Sequence, residues 1–216
     1  MKKLSLVAVA VCLFVGASFA GWDKFGVIDG GSAEAKLGYY GSNWSLNVRY
    51  GLMENLELFS TNGSVSSDYT VGARYQIIPV LAGFIDLDLP TKRNNFGLTP
   101  GINFSTNFTD ALSLGSVVKL GIDVADPDPV MTLGVGVEVD YNFNDNIGIW
   151  VGVDLEHNLD NDFDAESAIK PGIGFFFSKD NLTVGTMINS IDFDHINSKN
   201  EKSIGITGGV EFGIKF

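Results

Sequence analysis

The chain of 216 residues is acidic, with 26 Asp and Glu against 14 Lys and Arg, and it contains one cysteine. Its length predicts a single folded domain. The acidic balance argues against nucleic-acid binding through a basic surface, and one cysteine excludes an intrachain disulfide or a multi-thiolate metal site.

The N-terminus has the layout of a secretory signal peptide. Lys2 and Lys3 give a positive start, an apolar run covers residues 4–17, and small residues at positions 18 and 20 precede Gly21. An apolar run of that length is too short to cross a membrane as a helix. We therefore predict cleavage after Ala20. Loss of the two lysines leaves 12 basic residues against 26 acidic ones, a formal charge of −14.

We expect residues 1–20 to be the leader, residues 21–30 a lead-in segment, and residues 31–216 the folded domain. The lead-in has no clear period, and it lies either outside the folded domain or tucked into one end of it. From residue 31 onward, apolar and polar residues alternate in segments separated by Gly, Asn, Asp and Pro, which is typical of antiparallel hairpins. After the leader, no apolar run approaches the length of a membrane helix, so a membrane-spanning form would use strands.

The alternation predicts twelve strands. In chain order they cover residues 31–40, 44–52, 55–61, 69–77, 80–89, 97–108, 112–123, 130–143, 147–157, 168–178, 182–191 and 203–216. We expect ten strands instead if the third segment does not form one. In the last strand, every second residue from Ile204 to Phe216 is apolar or Gly, so one face is apolar and the other is small or polar.

The connections between strands alternate in length. Those after even-numbered strands are short, and those after odd-numbered strands are mostly longer and polar, which is the layout of a membrane barrel with its short turns in the periplasm. Aromatic residues also end the apolar face of the even-numbered strands. They are Tyr50, Tyr75, Phe108, Tyr141, Phe143, Phe177 and Phe216. Because aromatic rings favour the headgroup level of a bilayer, this set predicts one aromatic girdle.

The second face of the strands is polar. Its charged members are Glu34, Lys36, Arg49, Glu57, Arg74, Asp86, Asp88, Lys119, Asp123, Glu138, Asp140, Asp154, Glu156, Lys170, Glu211 and Lys215. A soluble sandwich would have to bury these charges or expose the large apolar face, and both are unfavourable. If the apolar face meets lipid, the charged face lines the lumen of a barrel.

These features predict an all-β, up-and-down antiparallel transmembrane β-barrel of about twelve strands. A strand of about ten residues at roughly 3.3 Å each, tilted by about 45°, covers about 23 Å, close to the apolar band of such barrels. Closure of the sheet pairs every backbone group where the bilayer offers no water.

The leader, the strand series and the final aromatic residue together resemble Gram-negative outer-membrane β-barrel proteins of the small, porin-like or transporter-like kind. In that class the closing strand ends in Phe with apolar residues alternating behind it, and here Val210, Phe212, Ile214 and Phe216 match. The resemblance implies a place in the cell outer membrane among lipids and lipopolysaccharide. It also implies export through the Sec translocon and recognition of this terminal segment by the barrel assembly machinery.

A second resemblance concerns one hairpin. Residues 49–58, RYGLMENLEL, resemble a turn that recurs in small barrels of the transporter-like group, which includes outer-membrane proteins of phenol-degradation operons. The chain departs from that pattern at Met53, where a polar turn residue is usual. Many members of the class have no assigned substrate, so the resemblance implies none here.

The strand number leaves two interpretations of the lumen. Barrels of about eight strands are filled by side chains, whereas about sixteen strands hold an open channel. Inward glycines on the later strands leave room for water, a loop or the lead-in. We favour passive diffusion of small solutes, and an excess of acidic side chains would favour cations. The alternative is a structural or surface-interaction barrel with a blocked lumen.

Catalytic and metal-binding patterns are sparse. His157 ends a strand and His195 follows Asp194 in a loop, but no serine or second carboxylate in a recognisable context accompanies them. A hydrolase at the barrel rim is therefore the third alternative, and we expect no enzyme activity. Residues 160–166 space carboxylates as a calcium loop begins, yet the Gly and Glu that such a loop needs are missing. We expect no metal and no cofactor.

Overall fold

The structure is a computed structural model that describes residues 27–40, 43–63, 69–90, 95–124, 129–159, 167–193 and 204–216. The predicted leader, most of the lead-in, the acidic residues 160–166 and His195 lie outside the described residues. Within this described part, the chain contains no helix that is long and apolar enough to cross a membrane.

The described residues form twelve strands, and the prediction of twelve rather than ten is confirmed. They are β1 (Ala33–Tyr40), β2 (Asn43–Met53), β3 (Leu56–Gly63), β4 (Tyr69–Ile78), β5 (Leu81–Leu89), β6 (Phe96–Asn107), β7 (Leu112–Val124), β8 (Val130–Asn144), β9 (Ile147–Asn158), β10 (Ser167–Lys179), β11 (Leu182–Phe193) and β12 (Ile204–Lys215). The third strand has its full length, because its polar residues 60–62 continue the ladder with both neighbours.

Each strand pairs antiparallel with the next, and β1 pairs with β12 to close the barrel. The closing register sets Glu34 opposite Lys215 and Tyr40 opposite Gly209. The backbone of Phe216 extends the joint, since its N–H donates to Ala33 at 2.8 Å and its carbonyl accepts from Ala33 at 3.1 Å. An all-β, up-and-down barrel is therefore confirmed.

The two ends of the barrel differ. We call the turn end the one that carries both ends of the barrel sheet and the tight turns after β2, β4, β6, β8 and β10. The other end, which carries the remaining connections, is the loop end. In outer-membrane barrels the short turns face the periplasm, and we orient this barrel in the same way.

The distribution of side chains is the reverse of that in a soluble protein. Large apolar residues of all twelve strands point outward and are exposed, whereas the buried side chains are mostly polar or charged. Among the described residues, the buried apolar side chains are Ala82, Trp150 and Phe176. This inversion follows from the alternation of the strands, because lipid takes the place of water on the outside.

Candidate functional site in the barrel interior

The charged side chains of the interior fall into two groups on opposite halves of the barrel. We call the inward charges of β1–β4 the ion-pair sector, which consists of Glu34, Lys36, Arg49, Glu57 and Arg74. The inward charges of β5–β10 form the acidic sector, which consists of Asp86, Asp88, Lys119, Asp123, Glu138, Asp140, Asp154, Glu156 and Lys170. Three cations face two carboxylates in the first sector, whereas two lysines face seven carboxylates in the second.

Glu57 is the centre of the ion-pair sector, and its side chain is fully buried. Arg49 donates to both of its carboxylate oxygens, through Nη2 at 2.6 Å and Nε at 3.1 Å. Nη1 of Arg74 lies 3.3 Å from Oε1. The backbone N–H of Ile28 donates to Oε2 at 2.9 Å. A carboxylate with this many donors is held in a fixed position.

The same network extends to β1 through Glu34. Nη1 of Arg49 lies 3.4 Å from Oε2 of Glu34, and Nζ of Lys36 lies 3.1 Å from Oε1. Glu34, Lys36 and Arg49 are 2–6% exposed. Strands that are adjacent in the barrel supply these partners, so the pairs depend on register as much as on residue type. The result is a closed structure that leaves little surface for a solute.

Residues 27–30 of the lead-in enter the barrel beside this sector. Residues Asp29–Ser32 form a β-turn, in which the Ser32 N–H donates to the Asp29 carbonyl at 3.0 Å. Gly31 has a φ of 82°, as a type II turn requires at its third position. The turn sends the chain back over the inner face of β2, where a Cβ on Gly51 would collide with the Asp29 carbonyl.

Four aromatic side chains also point into the barrel. Each covers an inward glycine of a neighbouring strand: Phe59 lies over Gly72, Phe84 over Gly101, Trp150 over Gly174 and Phe176 over Gly148. Arg74 also lies over the Phe59 ring, with 5.7 Å between its Cζ and the ring centroid. Such a contact is attractive because the ring face is electron-rich.

In the acidic sector, Glu156 accepts from Nζ of Lys170 at 2.8 Å and lies 3.7 Å from Nζ of Lys119. Inward glycines give these long side chains room, since a Cβ on Gly134 would meet Lys119 and one on Gly136 would meet Asp154. Glycines on β8 and β9 therefore serve mainly to accommodate neighbouring side chains rather than to leave the lumen open.

Burial distinguishes the two sectors. Four of the five side chains of the ion-pair sector are buried, and Arg74 is half-buried. In the acidic sector, Asp86 and Glu138 are buried and the other seven charged residues are half-buried. Carboxylates outnumber lysines there by seven to two, so the sector carries a net negative charge.

Carboxylates also meet near the loop end. Asp88 on β5 and Asp123 on β7 are both opposite Gly97 of β6. Thr70 donates its hydroxyl to Oδ1 of Asp88 at 2.5 Å. The small Gly97 leaves the two carboxylates on a shared strip of the inner wall, which gives this end of the lumen a negative lining.

The remaining residues singled out in the sequence lie as follows. Glu211 is 6% exposed on β12, and Lys215 is exposed where β12 ends. The aromatic girdle residues are all exposed, from 43% for Phe177 to 72% for Phe216, and all lie toward the turn end. Val210, Phe212 and Ile214 face outward on β12. Their roles as lumen lining, girdle and assembly signal stay predictions.

The sequence-based prediction of site residues does not include four inward aromatic side chains, which are Phe59, Phe84, Trp150 and Phe176. The alternation of inward and outward residues along each strand does indicate their position. Trp150 stands between the outward Ile149 and Val151, and Phe176 stands between two outward phenylalanines. An aromatic residue that breaks the apolar parity of a membrane strand has to point into the barrel.

The described residues contain no group of three or more His, Cys, Asp or Glu side chains that could hold a metal ion. His157 is exposed and shares the outward parity of Leu155 on β9, so it faces away from the lumen. The part of the barrel that the structure describes therefore shows neither a metal-binding cluster nor a histidine that faces the lumen.

No known family profile matches the sequence. No curated protein matches it either. Solved structures do share the fold. An outer-membrane channel from Pseudomonas putida F1 superposes with a TM-score of 0.67 at 10% identity, covering 92% of this chain and 100% of its own. The NanC porin gives a TM-score of 0.62 at 12% identity, covering 85% and 98%. The KdgM porin in complex with disordered oligogalacturonate gives 0.57 at 15% identity, covering 86% and 98%.

At these identities the likeness defines the fold, which is that of a porin-like outer-membrane β-barrel. The exposed apolar band and the charged interior agree with it. The exposed apolar band is suited to contact with lipid, as on the outward face of outer-membrane barrels.

Proposed function

We propose that the protein is a narrow channel for passive diffusion of small solutes across the outer membrane, with a preference for cations. The observation that carries this proposal is the half-buried acidic sector, in which seven carboxylates face two lysines. Fixed carboxylates along a narrow aqueous path attract cations and repel anions. The path would run beside β5–β10, because the ion-pair sector is closed.

The net charge of the whole inner wall is also negative. Counting both sectors with Glu211 and Lys215, ten carboxylates face six cations. That excess disfavours an anionic sugar polymer such as the oligogalacturonate of the KdgM porin complex. A small inorganic or organic cation, or a neutral solute, suits the lining better.

Planar-bilayer recordings of the refolded protein test the proposal. We expect single-channel steps, and in a KCl gradient a reversal potential whose sign reports that K⁺ passes more readily than Cl⁻. Heat-modifiable migration on a gel is the control that the barrel has folded. A folded barrel that gives no conductance at any protein load, or one that prefers anions, would refute the proposal.

A structural barrel with a blocked lumen is the second candidate. The burial of Glu34, Lys36, Arg49 and Glu57 favours it, because a sealed network of this kind adds stability without serving transport. The same recordings separate the two candidates, since a blocked barrel is heat-modifiable and silent. Lipopolysaccharide and other surface partners of the loops belong to this second candidate.

We propose that the protein is not an enzyme. A hydrolase at the rim would need a base close to a nucleophile, and the exposed His157 lies on the outward face of β9. If hydrolysis of a lipid or peptide were found, alanine replacement of His157 and His195 would show whether a histidine carries it.

A further inference from the structure

We propose that Val27–Ser32 forms a fixed constriction at the turn end, anchored by Glu57, and that this segment sets the bore of the channel. The inference rests on the proposed diffusion function. The chain turns inward at Asp29–Ser32 instead of leaving the barrel along the line of β1.

The turn itself is built for this reversal. After Gly51 pairs with Gly31 and Ser32 through bonds of 2.7 and 2.9 Å, the ladder between β1 and β2 stops. Gly31 then adopts a φ of 82°, which residues with a Cβ rarely adopt. Residues 28–30 have left the wall and lie over the inner face of β2.

The segment packs closely against the end of β2, in a contact that we call the seat. Gly51 points into the barrel, and its missing Cβ leaves the space that the Asp29 carbonyl occupies. Gly30 packs as closely on the other side, since a Cβ there would come within 2.9 Å of the backbone at Met53 and Glu54. Two glycines on opposite sides of one contact allow the backbones to approach more closely than any other residue would permit.

The anchor is the carboxylate of Glu57. Its Oε2 is 2.9 Å from the Ile28 N–H, and the two arginines that surround it hold it in place. A hydrogen bond to an ionised acceptor is about twice as strong as one between neutral groups. If the segment left, this fully buried carboxylate would lose one of its donors, which opposes release.

The constriction faces a wall that is also filled. Trp150 and Phe176 are 3% and 5% exposed and lie near the turns at Asp145–Asn146 and Asp180–Asn181. The turn end is therefore narrowed on one side by aromatic rings and on the other by Val27 and Ile28. Displacement of the segment is the change that would widen it most, because the rings are part of the packed wall.

Replacement of Gly51 tests the seat by steric means. In Gly51→Ala, the added methyl group takes the position of the Asp29 carbonyl and expels the segment while every charge of the sector remains. We expect the single-channel conductance to rise by about two-fold or more. The matched control is Gly83→Ala on the outer face of β5, where the nearest atom to an added Cβ is 3.6 Å away. That variant should conduct like the parent.

A thiol reporter gives a readout that does not depend on transport. Ile28→Cys in a Cys12→Ala chain should react slowly with a bulky water-soluble maleimide, and adding Gly51→Ala should speed the reaction by about ten-fold. Glu57→Gln, which keeps an acceptor but loses the charge, should give a smaller acceleration. Heat-modifiable migration confirms that each variant has folded.

The results distinguish a failure of the proposed constriction from a failure of the proposed diffusion function. Faster labelling with higher conductance in Gly51→Ala supports the inference. If the parent barrel never conducts but Gly51→Ala still speeds the labelling, the diffusion function is refuted and the packing of the segment against Gly51 is supported. Labelling and conductance that are the same in Gly51→Ala and Gly83→Ala would overturn the inference.

Discussion

The ion-pair sector and the acidic sector occupy the same lumen but are built differently. On β1–β4, three cations and two carboxylates from neighbouring strands pair directly, and Glu57 is wholly buried. On β5–β10, Glu156 shares two lysines while most of the other carboxylates are half-buried. Charged side chains inside this barrel are thus more often buried where opposite charges are close to balanced, in four of five positions against two of nine.

The physical reason is desolvation. A buried carboxylate without a counter-charge costs several kcal/mol, so charges can pack away from water only where partners are present in register. The ion-pair sector meets that condition and closes. In the acidic sector seven carboxylates face two lysines, and under the proposed function this excess makes it the side of the lumen suited to cations.

The largest expected effect comes from breaking the closed sector at Arg49. In Arg49→Met, both Glu34 and Glu57 lose their shared guanidinium while remaining buried, so the free energy of unfolding should fall by about 3–5 kcal/mol. Urea unfolding of the refolded barrel in detergent measures it, through the shift of the midpoint at constant slope.

The matched change in the other sector is Lys170→Met. It removes a cation 2.8 Å from Glu156, whose side chain is 11% exposed, but Lys119 remains 3.7 Å from that carboxylate. Because Glu156 keeps a counter-charge, we expect a smaller loss than in Arg49→Met, of about 1.5–3 kcal/mol. Equal losses for the two variants would contradict the claim that the sectors differ in closure.

The fold was largely predictable from the sequence. The alternation of each strand is a local property, and it gives the inward face, the strand number and the exposed aromatics such as Tyr50 and Phe216. Short turns mark the strand ends for the same reason. A membrane strengthens these signals, because a strand that reverses its faces would put charges into lipid.

The pairing inside the lumen was not predictable in this way. Whether Arg49 meets Glu57, or Phe176 covers Gly148, depends on the register between strands and on the direction in which long side chains bend. The seat of Asp29 over Gly51 joins residues that are not neighbours in sequence, and nothing local marks it. The bore of the lumen depends on these contacts, so function was less predictable than fold.

A smaller effect should distinguish two inward glycines. Gly72→Ala would collide with the Phe59 ring beside the ion-pair sector, whereas a Cβ on Gly121 would meet its nearest atom at 3.7 Å. We expect Gly72→Ala to lower the free energy of unfolding by about 1–3 kcal/mol through overpacking. Gly121→Ala should be neutral or slightly stabilising, since it only reduces the entropy of the unfolded chain. Urea unfolding compares them, and the reverse order would show that the two walls are not packed as described.

The smallest effect concerns selectivity, and it tests which sector the permeating ion experiences. Asp154→Asn removes a half-buried carboxylate of the acidic sector, and Glu34→Gln removes one that is 2% exposed and paired with Lys36 and Arg49. Both variants change the net charge by one. At about 0.1 M salt the Debye length is about 10 Å, so an ion feels mainly the charges that line its own path.

Asp154→Asn should therefore lower the K⁺ to Cl⁻ permeability ratio by a factor of about two, while Glu34→Gln leaves it close to the parent value. Reversal potentials in a KCl gradient give both ratios from the same preparation of folded barrel. If Glu34→Gln had the larger effect, the path would run along β1–β4, and burial would not mark the closed side of the lumen. If neither variant changed the ratio, the selectivity would arise at the loop end, where Asp88 and Asp123 face each other across Gly97.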